Sequence, residues 1–156
     1  VVAAAQIIKD NLKNVSAFSY DSIPLVQAGD VAAAHWYVGA NIFVEQNPDV
    51  LGYIIPEEGA TLYQEDMCVL KSAPNKENAK KFMEFYLQPE VAALNVAKQM
   101  NGTPNIPAQE FIPEAISSNT SIYPPADVLS KLQIFVDLGQ DLKLYNREWT
   151  AIKTAQ

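Results

Sequence analysis

Apolar residues recur along this chain with two different periods, and the switches between them lay out its elements. From Val1 to Val15, Val2, Ala5, Ile8 and Leu12 fall at helical spacing with Lys9, Asp10 and Lys13 opposite, which predicts an amphipathic helix. Asp21 is placed to cap a short helix through Gln27, with Pro24 in its first turn and Gly29 ending it. Asp30 leads into Val31–Trp36, read as a short buried strand. A helix over Val38 to Gln46 follows, closed by Asn47-Pro48, and Leu51–Ile55 reads as a second strand stopped by Pro56. A strand, a helix and a strand in so short a span predict a βαβ unit and a parallel sheet.

Glu57-Glu58-Gly59 is a polar break, and the segment after it, GATLYQEDMCVL, changes character halfway. Leu62–Leu70 is read as a strand. Met67 to Leu70 is apolar at every position, whereas Tyr63-Gln64-Glu65-Asp66 sets an aromatic ring against two carboxylates. Two helices are predicted next. Lys76 to Leu87 turns Ala79, Phe82, Met83 and Tyr86 inward, and Pro89 to Met100 buries Val91, Leu94 and Val96. Asn101-Gly102-Thr103-Pro104-Asn105 is a turn cluster, Phe111 to Ile122 mostly loop, and Tyr123-Pro124-Pro125 another break. A last helix, from about Gln140 to Ala155, packs Leu142, Leu144, Tyr145, Trp149 and Ile152.

Composition narrows the chemistry. With 156 residues, 49% hydrophobic and 19% charged, the chain has the makings of a packed domain. A net charge of −7 repels phosphate backbones, so nucleic-acid binding is disfavoured and a cationic small molecule is favoured. Cys68 is the single cysteine and reads as a small buried hydrophobe. His35 is the single histidine and has no acid or thiol at metal-ligand spacing, so it reads as structural. No nucleophile elbow, phosphate-binding loop or dinucleotide fingerprint occurs, and no catalytic residue, metal or cofactor is expected.

The segment from Tyr63 to Asp66 offers more. Period two puts Tyr63 and Glu65 on one face and Gln64 and Asp66 on the other. A ring beside a carboxylate gives a cation both a π face and a counter-charge. Trp36 stands at the end of its predicted strand, where ligands bind in open α/β sheets, and Tyr37 follows it. Trp36, Tyr37, Tyr63 and Glu65 are therefore candidates for an ammonium site.

Three stretches carry a resemblance: VQAGDVAAAHWYVGANIF, the run from YIIPEEGATLYQED through NKENAKKFMEFYLQPEVAA, and NGTPNIPA. They resemble the polyamine-binding (spermidine/putrescine) family of bacterial ABC-transporter substrate-binding proteins, with the motif matched from Pro56 to Ala92. The resemblance implies a partial periplasmic-binding-protein-like (type II) α/β fold: most of one three-layer lobe from residues 1–58 and 106–156, and a crossover segment of the other from 59–105. It implies a polyamine ligand in the cleft, an ABC permease as partner, no catalysis, and a periplasmic or extracellular location beside the membrane.

The family's cleft tryptophan falls on Trp36, and its aromatic-x-acid pair on Tyr63 and Glu65, where Trp and Asp are commoner. Its turn tyrosine has no aromatic counterpart, because Asn101-Gly102 occupies that site. Its glutamine before the last helix falls near Phe135, with Gln133 close by. These departures leave the ligand open, and with it two alternatives: another small solute in the same fold, or a protein-interaction module. The chain reads as the C-terminal half of a longer one, with sheet edges and apolar faces that invite a partner chain or a dimer.

Overall fold

The computed structural model describes residues 1–155. Eight α-helices are present among them: α1 (Val2–Asp10), α2 (Ser22–Ala28), α3 (Asn41–Gln46), α4 (Lys76–Tyr86), α5 (Pro89–Gln99), α6 (Glu114–Ser117), α7 (Ala126–Leu129) and α8 (Leu142–Lys153). Two short strands, β1 (Thr61–Leu62) and β2 (Gln133–Ile134), form the sheet. The backbone gathers into two compact units. One comprises Val1–His35 with the chain from Val136 on, and the other Trp36–Phe135.

Helices α1–α5 and α8 fall on the spans that the sequence marks as helical, α1 ending at Asp10 short of Val15, whereas α7 is unexpected; several ends have local causes. Gly29 closes α2 in the left-handed region at φ 78°, a conformation that costs glycine little. Asp21 makes no side-chain cap; the Ser19 hydroxyl instead accepts the Asp21 N–H at 3.0 Å. Pro89 opens α5, where its missing N–H would have had no helical partner. Met100 takes the left-handed position that ends α5, at φ 52°, and the Asn105 side chain donates to the Leu87 carbonyl just past α4 at 2.8 Å.

In the first unit, α1 packs on α8. Glu148, buried on α8, accepts from Lys9 Nζ of α1 at 3.2 Å and from Arg147 Nη2 at 2.9 Å. The Phe18 ring meets Trp149 edge-on at 5.0 Å. In the second unit, α5 supplies the core with Ala92, Ala93 and Val96, against Ala108, Ile112 and Ile116. Small residues on α5 let the turn at Ile106–Phe111 lie close to it.

Several expectations change. Val31–Trp36 and Leu51–Ile55 form no strand, and of Leu62–Leu70 only Leu62 is in one. The parallel pair joins Thr61 to Gln133 and Leu62 to Ile134 instead of building a βαβ unit from residues 31–55. An apolar run becomes a strand only when a neighbour takes its N–H and C=O groups, and these runs have no strand beside them among the described residues. Cys68 is exposed rather than buried, as are Met67 and Leu70, because nothing covers that segment. Phe82 on α4 and Leu94 on α5 also face outward, at 57% and 66% exposure, as do Leu142, Tyr145 and Trp149 on α8 to a lesser degree. Helical spacing identifies an apolar stripe, but the packed neighbour decides how much of it is buried.

Candidate functional site

Trp36 and Tyr37 lie just before a tight turn at Val38–Ala40 that leads into α3. Tyr37 has extended backbone, at φ −76° and ψ 159°, and its ring is about half exposed. The two rings meet edge-on at 6.0 Å, and Tyr37 meets Tyr63 edge-on at 5.5 Å. Residues some 26 positions apart thus form one aromatic row, in which each contact sets the positive edge of one ring against the negative face of the other.

Glu65 is exposed beside this row. Burial pushes the Tyr63 phenol above its ordinary value, and the Glu65 carboxylate adds to the shift, followed by Tyr53 and Tyr37. Gln64 donates from its side-chain amide to Asp66 Oδ1 at 2.8 Å, which joins one of the two pairs that period two predicts.

Gln133 is brought beside β1 by β2. Its N–H donates to the Ala60 carbonyl at 3.0 Å, and it pairs with Thr61, two residues ahead of Tyr63. Gly59 makes this approach feasible. At φ 110°, a Cβ there would stand 2.6 Å from the Lys131 carbonyl oxygen, and Lys131 Nζ reaches back to the Glu57 carbonyl at 3.2 Å.

Asn101 sits against the turn after Tyr37: a Cβ on Gly39 would lie 3.3 Å from its Oδ1. That oxygen is buried with no hydrogen-bond partner among the described residues, and the Tyr123 hydroxyl is likewise. The Tyr123 ring packs over Gly102, 3.8 Å from where a Cβ would be. Trp36, Tyr37, Tyr63, Glu65, Asn101 and Gln133 therefore all belong to the second unit, with the three rings in contact, Asn101 beside Gly39 and Gln133 paired with Thr61.

One member escaped the sequence reading. Tyr53 donates its hydroxyl hydrogen to the Trp36 carbonyl at 3.2 Å, and burial raises its phenol as well. A signal for it exists: Leu51, Tyr53 and Ile55 alternate with exposed Gly52 and Ile54, so Tyr53 is on the inward face. His35 is exposed, and no group of three or more His, Cys, Asp or Glu side chains placed to hold a metal occurs among the described residues.

Comparison with known proteins is decisive at the level of family. A family model described as bacterial extracellular solute-binding protein matches residues 1–122. The chain belongs to that family. Its relatives include the spermidine/putrescine-binding periplasmic protein of Salmonella typhimurium strain LT2, 28% identical over all of this chain and 45% of the relative. The putrescine-binding periplasmic protein SpuD of Pseudomonas aeruginosa strain UCBPP-PA14 is 34% identical over 71% of this chain and 30% of its own length. The putrescine-binding periplasmic protein PotF of Escherichia coli K12 is 30% identical over 83% of this chain and 34% of its own. The chain spans less than half the length of these curated relatives. Its helices and small parallel sheet are a partial α/β structure of the type II periplasmic binding fold.

Proposed function

We propose that the protein carrying this chain is the solute-binding component of a bacterial ABC importer and binds a polyamine such as spermidine or putrescine in a cleft between two lobes. The observation that carries this reading is the Trp36–Tyr37–Tyr63 row with the Glu65 charge beside it. An alkylammonium group gains a π face from the rings and a counter-ion from the carboxylate. Asn101 and Gln133 add amide groups at the margins. The polyamine-binding relatives support the ligand class, and their periplasmic location supports a periplasmic or extracellular one here. Residues 1–58 and 106–156 are assigned to one lobe and 59–105 to a crossover segment of the other. The role is delivery of solute to a permease, without catalysis.

Calorimetric titration of the complete protein against a polyamine panel tests the site. A desolvated charge-assisted contact contributes about 1.5–3 kcal/mol, so Glu65→Gln should weaken binding roughly ten- to a hundredfold, each ~1.4 kcal/mol being tenfold. Unchanged affinity in Glu65→Gln removes Glu65 from the site, and no polyamine binding by the wild type removes the ligand class.

A second reading has its own support. Ile54, Leu70, Phe82, Leu94 and Ile106 are all more than half exposed, and an apolar surface of this kind associates in water. We propose that this chain, expressed by itself, forms dimers through these faces. Sedimentation velocity should show concentration-dependent association; a monomer at all concentrations would dismiss it.

A further inference from the structure

Trp36 lies outside both strands found among the described residues. The Tyr53 hydroxyl donates to its backbone carbonyl at 3.2 Å across 17 residues of chain. Tyr53 comes from a second segment outside the strands, in which Leu51, Tyr53 and Ile55 turn inward. One phenol thus links two apolar runs that lie outside the strands of the described residues. The Tyr53 phenol also contributes to the upward shift of Tyr63, after burial and the Glu65 carboxylate.

We infer that Tyr53 is a positioning residue for the solute site: its hydroxyl fixes the Trp36 backbone and thereby sets where the Trp36 and Tyr37 rings stand. The inference rests on the reading of the aromatic row as the binding wall, but its structural half is testable without any ligand. An aromatic wall captures a cation only if its faces are held before the cation arrives, since ordering them afterwards costs affinity. Tyr53 contributes that order from outside the row.

Tyr53→Phe keeps the ring and deletes only the hydroxyl. The complete protein is labelled with 5-fluorotryptophan, and the Trp36 and Trp149 resonances are assigned from Trp36→Phe and Trp149→Phe. In Tyr53→Phe the Trp36 fluorine resonance should shift or broaden while that of Trp149 stays in place. Spermidine or putrescine affinity should fall about three- to tenfold, the range for one net hydrogen bond. An unmoved Trp36 resonance overturns the inference, and so does an equal displacement of both resonances, which would report a general loosening of the fold. A displaced Trp36 resonance with unchanged affinity, in a protein that binds polyamine, also overturns it, because the position so set would not serve the site. If the wild type binds no polyamine, the proposed function fails, and the Trp36 resonance alone decides whether Tyr53 holds Trp36.

Discussion

Asn101 Oδ1 and the Tyr123 hydroxyl are each shut away from solvent without a hydrogen-bond partner among the described residues. A desolvated hydroxyl left unpaired costs about 1–3 kcal/mol. Tyr123→Phe keeps the ring over Gly102 and removes that cost, so it should raise stability by about 1 kcal/mol. A higher urea midpoint with an unchanged denaturant slope is the expected outcome. At this scale the sequence was informative in proportion to how local the cause was. The sequence predicts the pairing of Tyr63 with Glu65 because alternate residues along an extended chain share a face, and no tertiary information is needed for that expectation. Tyr53 was missed because its role depends on a carbonyl 17 positions away, and Asn101 and Gln133 came from a family resemblance, not from any local pattern.

The elements divide along the same line. A helix satisfies its own backbone, so the apolar stripes of α1, α4, α5 and α8 announced themselves. A strand is a relation between two segments, and nothing within VAAAHW or LGYII states which neighbour will be there. The pairing that does form turns on Gly59. Gly59→Ala would need a φ of 110° that side chains resist, and would drive its methyl into the Lys131 carbonyl at 2.6 Å. Strain of this kind costs about 1–3 kcal/mol. The visible effect should be local: faster exchange of the Gln133 amide hydrogen, which bonds to Ala60, with amides in α5 unaffected. Equal protection of Gln133 in both proteins would show that Gly59 is dispensable.

For the molecule as a whole, acid is the revealing variable. Hydrogen bonds from Arg147, then from Lys9, hold the Glu148 carboxyl below its ordinary value. A carboxylate whose folded-state pKa is depressed stabilises the fold above its unfolded pKa, and that contribution fades as pH falls through the folded value. Stability measured by thermal melting should therefore decline as pH drops below the ordinary range for glutamate, and Glu148→Gln should flatten this part of the profile. A variant whose acid profile matches the wild type would show that α1 and α8 are held by packing alone. The exposed Phe82, Phe85, Leu87 and Leu94 belong to this scale too. Sequence marked them as apolar; whether each is covered depends on surfaces that no stretch of this chain can specify from within itself.

The two-residue parallel ladder has a consequence in time. Thr61 meets Gln133 only after about 70 residues of intervening chain have been drawn into a closed loop, an entropic charge that no local contact offsets. Contacts of such separation form late and, being few here, open early. The helices at Lys76–Tyr86 and Pro89–Gln99 can be complete while the ladder is still absent. The Thr61–Gln133 pairing is then the last part of the second unit to arrive on folding and the first to depart on unfolding, so an intermediate with native helicity would still lack the Gln133 side of the proposed solute site.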